Sequence, residues 1–371
     1  MNVLILSCST GGGHDAAGRA VAEEMQRRGH NVKMFNPYTL KSKHLARAID
    51  QSYVLTARNT PRAFGVAYKF SDIYRKFPGR SLIYHANRAM NQTMWMYLSA
   101  NHFDVVITTH FLAGEILTNM RKHGMETPKT IFIATDYVCT PFTEETECDA
   151  YITPAADLEE DYIGHGLPQR KLHPFGIPVR QCFSIEETKE EVRERLGLEQ
   201  NKKYVLFTGG SMGVRTMMES IERLETEISN RTDVGIIVIC GNNKDLYAKL
   251  EKKNAPNITL VGFTDDMSSY MKAATVFVTK PGGLSTTEAA VVGVPLLHTS
   301  AIPGCETYNA RYFQSRGMSV DCTKDTDPVQ EVLRLLDDCE RCEAMVKNQR
   351  ERINGKAASD ICDLAEKMIR E

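Results

Sequence analysis

TKPGGLSTTEAAVVGVPLLHTSAIPGCETYNARYF, running from Thr279 to Phe313, follows the apolar run Ala274–Val278 and decides the fold. It reads as strand, glycine-rich turn, helix, short strand, loop and helix. The turn Pro281-Gly282-Gly283 lets backbone N–H groups approach a ligand closely, and the helix that follows points its positive N-terminal end at the same place. No G-K-[ST] follows, so this is a phosphate seat without a Walker lysine. Glu288, about one and a half turns into the helix, is placed to accept from a ribose diol. Pro303-Gly304 then opens another helix, with Glu306 and Asn309 three residues apart and therefore on one face. Phosphate donors, a ribose acceptor and a polar pair for a second sugar spell a nucleotide-sugar site.

Outward from that stretch, the pattern is alternating strand and helix. In the C-terminal half the expected strands are Tyr204–Thr208, Val234–Cys240, Ile258–Val261, Thr275–Thr279 and Pro295–His298. In the N-terminal half they are Asn2–Ser7, Val32–Asn36, Asp104–Thr109, Thr130–Thr135 and Asp149–Thr153. Thr10-Gly11-Gly12-Gly13 turns the chain into a helix over His14–Arg28, which Gly29 closes. The spacing predicts an N-terminal domain over 1–177 and a second over 178–357. Ser184 and Glu187 are the expected capping box of a helix running to Gly197. A last amphipathic helix in 358–371 carries Ile361, Leu364, Ala365, Met368 and Ile369 on one face. The stretch at about 40–100 is roughly twice an ordinary crossover and reads as a helical insertion with a job of its own.

The chain has 371 residues, 42% hydrophobic and 25% charged, ordinary for a soluble globular protein of two domains. No apolar run approaches transmembrane length, and Asn2–Cys8 lacks the basic flank of a signal peptide. Ten cysteines spread singly fit a reducing cytoplasm. Cys339-Glu340-Arg341-Cys342 has no partner pair at zinc-site spacing. Asp325-Thr326-Asp327 has the D-x-D form of a metal site. Pro328 and Gln330 after it read better as a helix start capped by Asp327, so no metal is expected.

The net charge of −2 hides an asymmetry. Lys41–Met90 holds ten Lys/Arg against only Asp50 and Asp72, interleaved with Tyr53, Phe64, Tyr68, Phe70, Tyr74, Phe77 and Tyr84. Cations among apolar anchors suit an anionic membrane leaflet, where each is worth about 1 kcal/mol. Arg75, Lys76, Arg80 and the nearby Trp95 are the expected contacts. No nucleic-acid motif accompanies the patch.

The motifs together resemble glycosyltransferase family 28, of the GT-B architecture, and within it the branch of diacylglycerol glycosyltransferases. That branch carries KPGG-x-[ST]-x-x-E followed by P-G-Q-E-x-x-N; here Cys305 stands where the glutamine is expected. The resemblance implies two Rossmann-like parallel-sheet domains facing a cleft, with the last helix crossing back to the first domain. It places the UDP-sugar donor on Pro281, Gly282, Gly283, Ser285, Thr286, Glu288, Gly304, Glu306 and Asn309. Thr208-Gly209-Gly210-Ser211-Met212-Gly213 matches the family's loop across the diphosphate, so Gly210 and Ser211 join the donor set, with Arg215 as an added cation. Val261-Gly262-Phe263-Thr264 matches the segment that reads the base.

On the acceptor side, Gly12-Gly13-His14 resembles the branch's GGGH loop, Ala134-Thr135-Asp136 its T-D and Thr109-His110 its T-H. His14 at a helix N-terminus, which favours the neutral imidazole, or Asp136 is the expected base. The implied reaction is inverting, cofactor-free and metal-independent transfer of a hexose from a UDP-sugar to 1,2-diacylglycerol. It is expected of a peripheral protein on the cytoplasmic face of the membrane. Transfer of N-acetylglucosamine to a polyprenyl-diphosphate lipid, and a UDP-sugar sensor without turnover, are the alternatives that the residues leave open.

Overall fold

The computed structural model describes residues 1–8, 12–75, 79–208 and 214–370. The chain divides into two compact units, one of 1–181 with 302–308 and 354–371, the other of 182–301 with 309–353.

The first unit is built on β1 (Asn2–Leu6), β2 (Asn31–Phe35), β3 (Val105–Thr108), β4 (Lys129–Ile133), β5 (Ala150–Ile152) and β6 (Leu172–His173). All pair in parallel in the order β2-β1-β3-β4-β5-β6. Alternation along β1 sends Leu4 and Leu6 to one face, against Met90, Met94 and Ile116. Val3 and Ile5 go to the other, against Val21, Met25, Ile361, Cys362 and Ala365. Burial on both faces is why these strands read as continuous apolar runs.

The last helix, Ala357–Arg370, therefore closes the first sheet as the resemblance implied, beside the helix Gly13–Arg27. Arg28 fastens it, donating to Asp363 Oδ1 at 2.5 Å and to the Ser359 carbonyl at 3.0 Å. The stretch after β2 is helical, with Lys43–Asn59, Pro61–Tyr74, Leu82–Asn87 and Asn91–Asn101.

The second unit is built on β7 (Lys203–Thr208), β8 (Val234–Ile239), β9 (Ile258–Val261), β10 (Val276–Thr279), β11 (Leu296–His298) and β12 (Val320–Asp321). It is again all parallel, in the order β12-β11-β10-β7-β8-β9. β6 and β12, each two residues long, have no counterpart among the expected strands. The predicted capping box is displaced by one turn. Thr188 and Glu191, not Ser184 and Glu187, cap each other at the start of the helix Lys189–Arg195. Glu187 is instead held by Arg195 and Lys272, both at 2.6 Å.

Candidate active site

In an open parallel sheet the chain leaves the first strand to build one side and returns to build the other. Ligands bind beyond the strand ends where that reversal occurs. In the first sheet the reversal lies between β1 and β3, in the second between β7 and β10. The motifs Gly12-Gly13-His14 and Thr109-His110 follow β1 and β3, and Pro281-Gly282-Gly283 follows β10, whereas Thr135-Asp136, Phe263 and Pro303-Gly304 follow β4, β9 and β11.

At the first reversal, Gly12 adopts φ +84°, a left-handed conformation that turns the chain from β1 into the helix Gly13–Arg27. His14 follows, and its Nδ1 lies 2.5 Å from the Thr109 carbonyl oxygen and 3.2 Å from Thr135 Oγ1. A carbonyl oxygen only accepts, so Nδ1 carries the proton and Nε2 keeps its lone pair. Burial, opposed by the charge of Asp136, lowers the His14 pKa below its ordinary 6.5. Desolvation thus does what the helix N-terminus was expected to do.

His110 packs edge-on against His14, ring centroids 4.6 Å apart. Its own Nδ1 accepts from the Leu112 N–H at 3.2 Å, capping the helix Phe111–Lys122. Burial holds it well below its usual pKa, and it stays neutral. This imidazole is a helix cap and a wall for His14. Asp136, half-buried just past β4, acts on His14 through its charge.

At the second reversal, Thr208 Oγ1 donates to Thr279 Oγ1 at 3.0 Å and ties the ends of β7 and β10 together. Lys280 and Pro281 lead into Gly282, the N-cap of the helix Gly283–Val292. The Thr286 N–H makes the first helical bond, to the Gly282 carbonyl, and the N–H groups before it have no intrahelical partner. Ser285 and Glu288 are half-buried on one face of this helix.

Three of the expected donor residues have partners inside the protein. Thr286 is fully buried with Oγ1 at 3.2 Å from His298 Nε2, so it packs the helix onto β11. Asn309 is fully buried and donates from Nδ2 to the Pro281 carbonyl at 3.0 Å, a clamp on the turn. Glu306, 5% exposed, accepts the Ile302 N–H at 2.8 Å and folds its own loop. The two side chains share a helical face as their spacing required, and each holds a backbone group. Phe263 beyond β9 is 65% exposed. Gly210 and Ser211 lie outside the described residues, as does the Arg215 side chain.

The family model for monogalactosyldiacylglycerol (MGDG) synthase matches residues 14–179, and that for the glycosyltransferase family 28 C-terminal domain matches residues 204–364. The chain carries a glycosyltransferase family 28 C-terminal domain. It is a glycosyltransferase of GT-B fold. A processive diacylglycerol beta-glucosyltransferase of Bacillus licheniformis is 27% identical over 353 residues, 94% of this chain and 90% of that protein. Among solved structures, MurG of Acinetobacter baumannii superposes with a TM-score of 0.65 at 17% identity, over 99% of both chains. A UDP-GlcNAc 2-epimerase from Neisseria meningitidis bound to UDP-GlcNAc gives 0.62 at 13%, over 99% of this chain and 100% of that one. An epimerase on the same scaffold shows that the activity of such a chain has to be argued from its site.

Two of the expected membrane contacts in the basic insertion, Arg75 and Arg80, are engaged by groups of the first unit. The Arg75 side chain is 4% exposed and pairs with Glu144 at 2.7 Å and Asp72 at 3.6 Å, with a further bond to the Cys139 carbonyl. Arg80 pairs with Glu147 at 2.6 Å, donates to the Glu145 carbonyl and covers the Tyr84 ring. Arg75 is thus an internal strut, against its expected role as a membrane contact, while Arg80, its side chain 28% exposed, is tied at the surface of the same unit. Lys76 lies outside the described residues. Beside the exposed Lys41, Lys43, Arg47 and Arg88, the insertion exposes apolar side chains: Val66 (53%), Phe70 (65%) and Ile73 (53%) at helical spacing, Leu82 (83%), and Trp95 (38%) beside Met96. Asp327 caps the helix Pro328–Asp337 and pairs with Arg223 at 2.6 Å. The sequence reading missed Thr109 and Thr135 as partners of His14. Their signals were the T-H and T-D motifs themselves and their position at the ends of β3 and β4, where ligand-side residues collect.

Proposed function

We propose that this glycosyltransferase transfers a hexose from a UDP-sugar to the free hydroxyl of a diacylglycerol, with inversion, at the cytoplasmic surface of a membrane. The observation that carries the reading is His14, held as the Nδ1–H tautomer by the Thr109 carbonyl with a depressed pKa. A neutral imidazole with an available Nε2 is a general base at physiological pH. In the proposed reaction Nε2 takes the proton of the acceptor hydroxyl as its oxygen bonds to the anomeric carbon. The bond from that carbon to the diphosphate breaks, and UDP leaves with the electron pair. The negative charge of Asp136 favours the imidazolium that forms.

The leaving diphosphate is held by the turn Gly282-Gly283 and the N–H groups of the helix after it, with Ser285 alongside. Glu288 accepts from the ribose and Phe263 covers the base. Diacylglycerol as acceptor is supported by the MGDG-synthase match over 14–179 and by the printed activity of the Bacillus licheniformis relative. Membrane seating is assigned to the apolar stripe Val66-Phe70-Ile73 and to Leu82 rather than to Arg75 and Arg80. No helix among the described residues is long and apolar enough to cross a membrane.

The test is a donor-by-acceptor screen with purified protein, reading UDP release and lipid products by mass spectrometry. Diacylglycerol with UDP-glucose or UDP-galactose is expected to yield glycolipid, in EDTA as well as without it. Product only from UDP-N-acetylglucosamine and a polyprenyl-diphosphate lipid, or UDP-sugar binding without any product, contradicts the proposal.

A further inference from the structure

The helix Pro61–Tyr74 has two faces with different partners. One is the exposed stripe Val66, Phe70 and Ile73. The other is fitted to the segment Ile302–Tyr308, which belongs to the same compact unit. A β-carbon at Gly65 would lie 2.5 Å from Cβ of Pro303, and one at Gly304 would lie 2.8 Å from Cδ2 of Tyr68. Both positions are therefore closed to larger residues, and Gly304 at φ +119° is closed twice over. The Tyr68 ring is seated by these contacts and by Tyr308, whose centroid is 6.5 Å away.

At the end of that seated ring, the Tyr68 hydroxyl is buried and has no hydrogen-bond partner in the protein. Such an oxygen calls for an explanation, because a phenylalanine would pack the same ring without desolvating a polar group. Its surroundings supply one. Burial raises the pKa of this phenol far above its ordinary 10, and the charges of Cys305, Asp136 and Asp72 raise it further. It is a neutral donor within electrostatic reach of Asp136, the residue that also acts on His14. It stands on the inner side of a helix whose outer side is apolar and exposed.

We propose that Tyr68 contacts the lipid acceptor, its hydroxyl donating a hydrogen bond to an ester carbonyl of the diacylglycerol backbone and so presenting the free hydroxyl for transfer. This rests on the diacylglycerol reading above and adds a residue that reads the acceptor. The partner is an ester carbonyl because a phenol held neutral donates, and diacylglycerol offers two carbonyl acceptors beside its one hydroxyl. Dialkylglycerol ethers, with the same chains and the same free hydroxyl, lack those carbonyls.

The experiment compares wild type and Tyr68→Phe on matched diacylglycerol and dialkylglycerol in mixed micelles, with thermal melts and UDP-induced shifts measured on the same preparations. Tyr68→Phe is expected to raise KM for diacylglycerol by about three- to tenfold, the worth of one neutral hydrogen bond. KM for the ether and the UDP-induced shift are expected to stay unchanged. The wild-type preference for ester over ether should disappear in the variant, and the melting temperature should hold or rise. An unaltered ester preference overturns the proposal, and so does a lower melting temperature, since the hydroxyl then has a partner inside the protein. If wild type glycosylates neither lipid, it is the acceptor class that has failed, and the melts still show whether the hydroxyl is unpaired.

Discussion

The two sheets end in different chemistry. Beyond the strand ends of the first, the chain places groups that titrate: His14, His110 and Asp136. Beyond those of the second it places glycines, small hydroxyls and the start of a helix. Both ends occupy the same topological position, so the contrast comes from side chains and not from fold. A strand end carrying imidazoles under desolvation is suited to moving a proton. One carrying backbone N–H groups and little bulk is suited to holding an anion. The lesson is a division of labour, and each half can be removed without the other.

The largest effect is expected at the first sheet. His14→Ala should lower kcat by roughly 10²–10⁴-fold, the usual worth of a general base, and leave the UDP-induced thermal shift intact. Steady-state kinetics and a melt of the same sample check both halves. A mutant that loses UDP binding as well would break the division.

At the second sheet, Asn309→Ala removes the donor that holds the Pro281 carbonyl. Leaving that buried acceptor unpaired should destabilise the protein by about 1–3 kcal/mol and weaken UDP binding, with the pH dependence of turnover unchanged. Denaturant titration and the UDP-induced shift measure this. An Asn309→Ala protein with normal stability would mean that the amide serves the sugar directly.

The smallest effect concerns how the helical insertion is held to the first sheet's layer. Glu115 is fully buried; one oxygen accepts from Asn87 Nδ2 at 2.5 Å, and the other has no partner. Burial, and then the neighbouring Glu145, push its carboxyl up to about 9. The folded pKa lies above the ordinary 4.5, so the contribution to stability is complete below about 4.5 and is lost as pH rises toward 9. Melting temperature should fall by a few degrees over the alkaline part of that window. Glu115→Gln, neutral throughout, should flatten the fall. An equal slope in both proteins would remove Glu115 from the account.

Much of this was legible in the sequence, for a physical reason. Strands buried on both faces leave long apolar runs, and the turns Gly12-Gly13 and Pro281-Gly282-Gly283 punctuate them where the chain passes from strand into helix. What was not legible depends on contacts distant in the chain. A charge run shows that Arg75 is cationic but not that Glu144, sixty-nine residues on, draws it inside. Ser184-x-x-Glu187 and Thr188-x-x-Glu191 are equally good capping boxes as text, and Lys272 decided between them by taking Glu187. Asn309 and Glu306 lie on one helical face as their spacing required, yet their partners are backbone groups of Pro281 and Ile302. β6 and β12 are too short for any alternation to show.

The central claim is that a desolvated, neutral His14 removes the acceptor proton, and the pH profile of kcat/KM for the acceptor tests it most directly. The base form is the deprotonated one, and burial lowers the His14 pKa below 6.5. The rate should therefore stay level from neutral pH down past 6.5 and fall only at more acid pH, and the residual activity of His14→Ala should lack that acid limb. An acid limb centred at or above 6.5, or one that survives unchanged in His14→Ala, would contradict the claim and transfer the proton to Asp136.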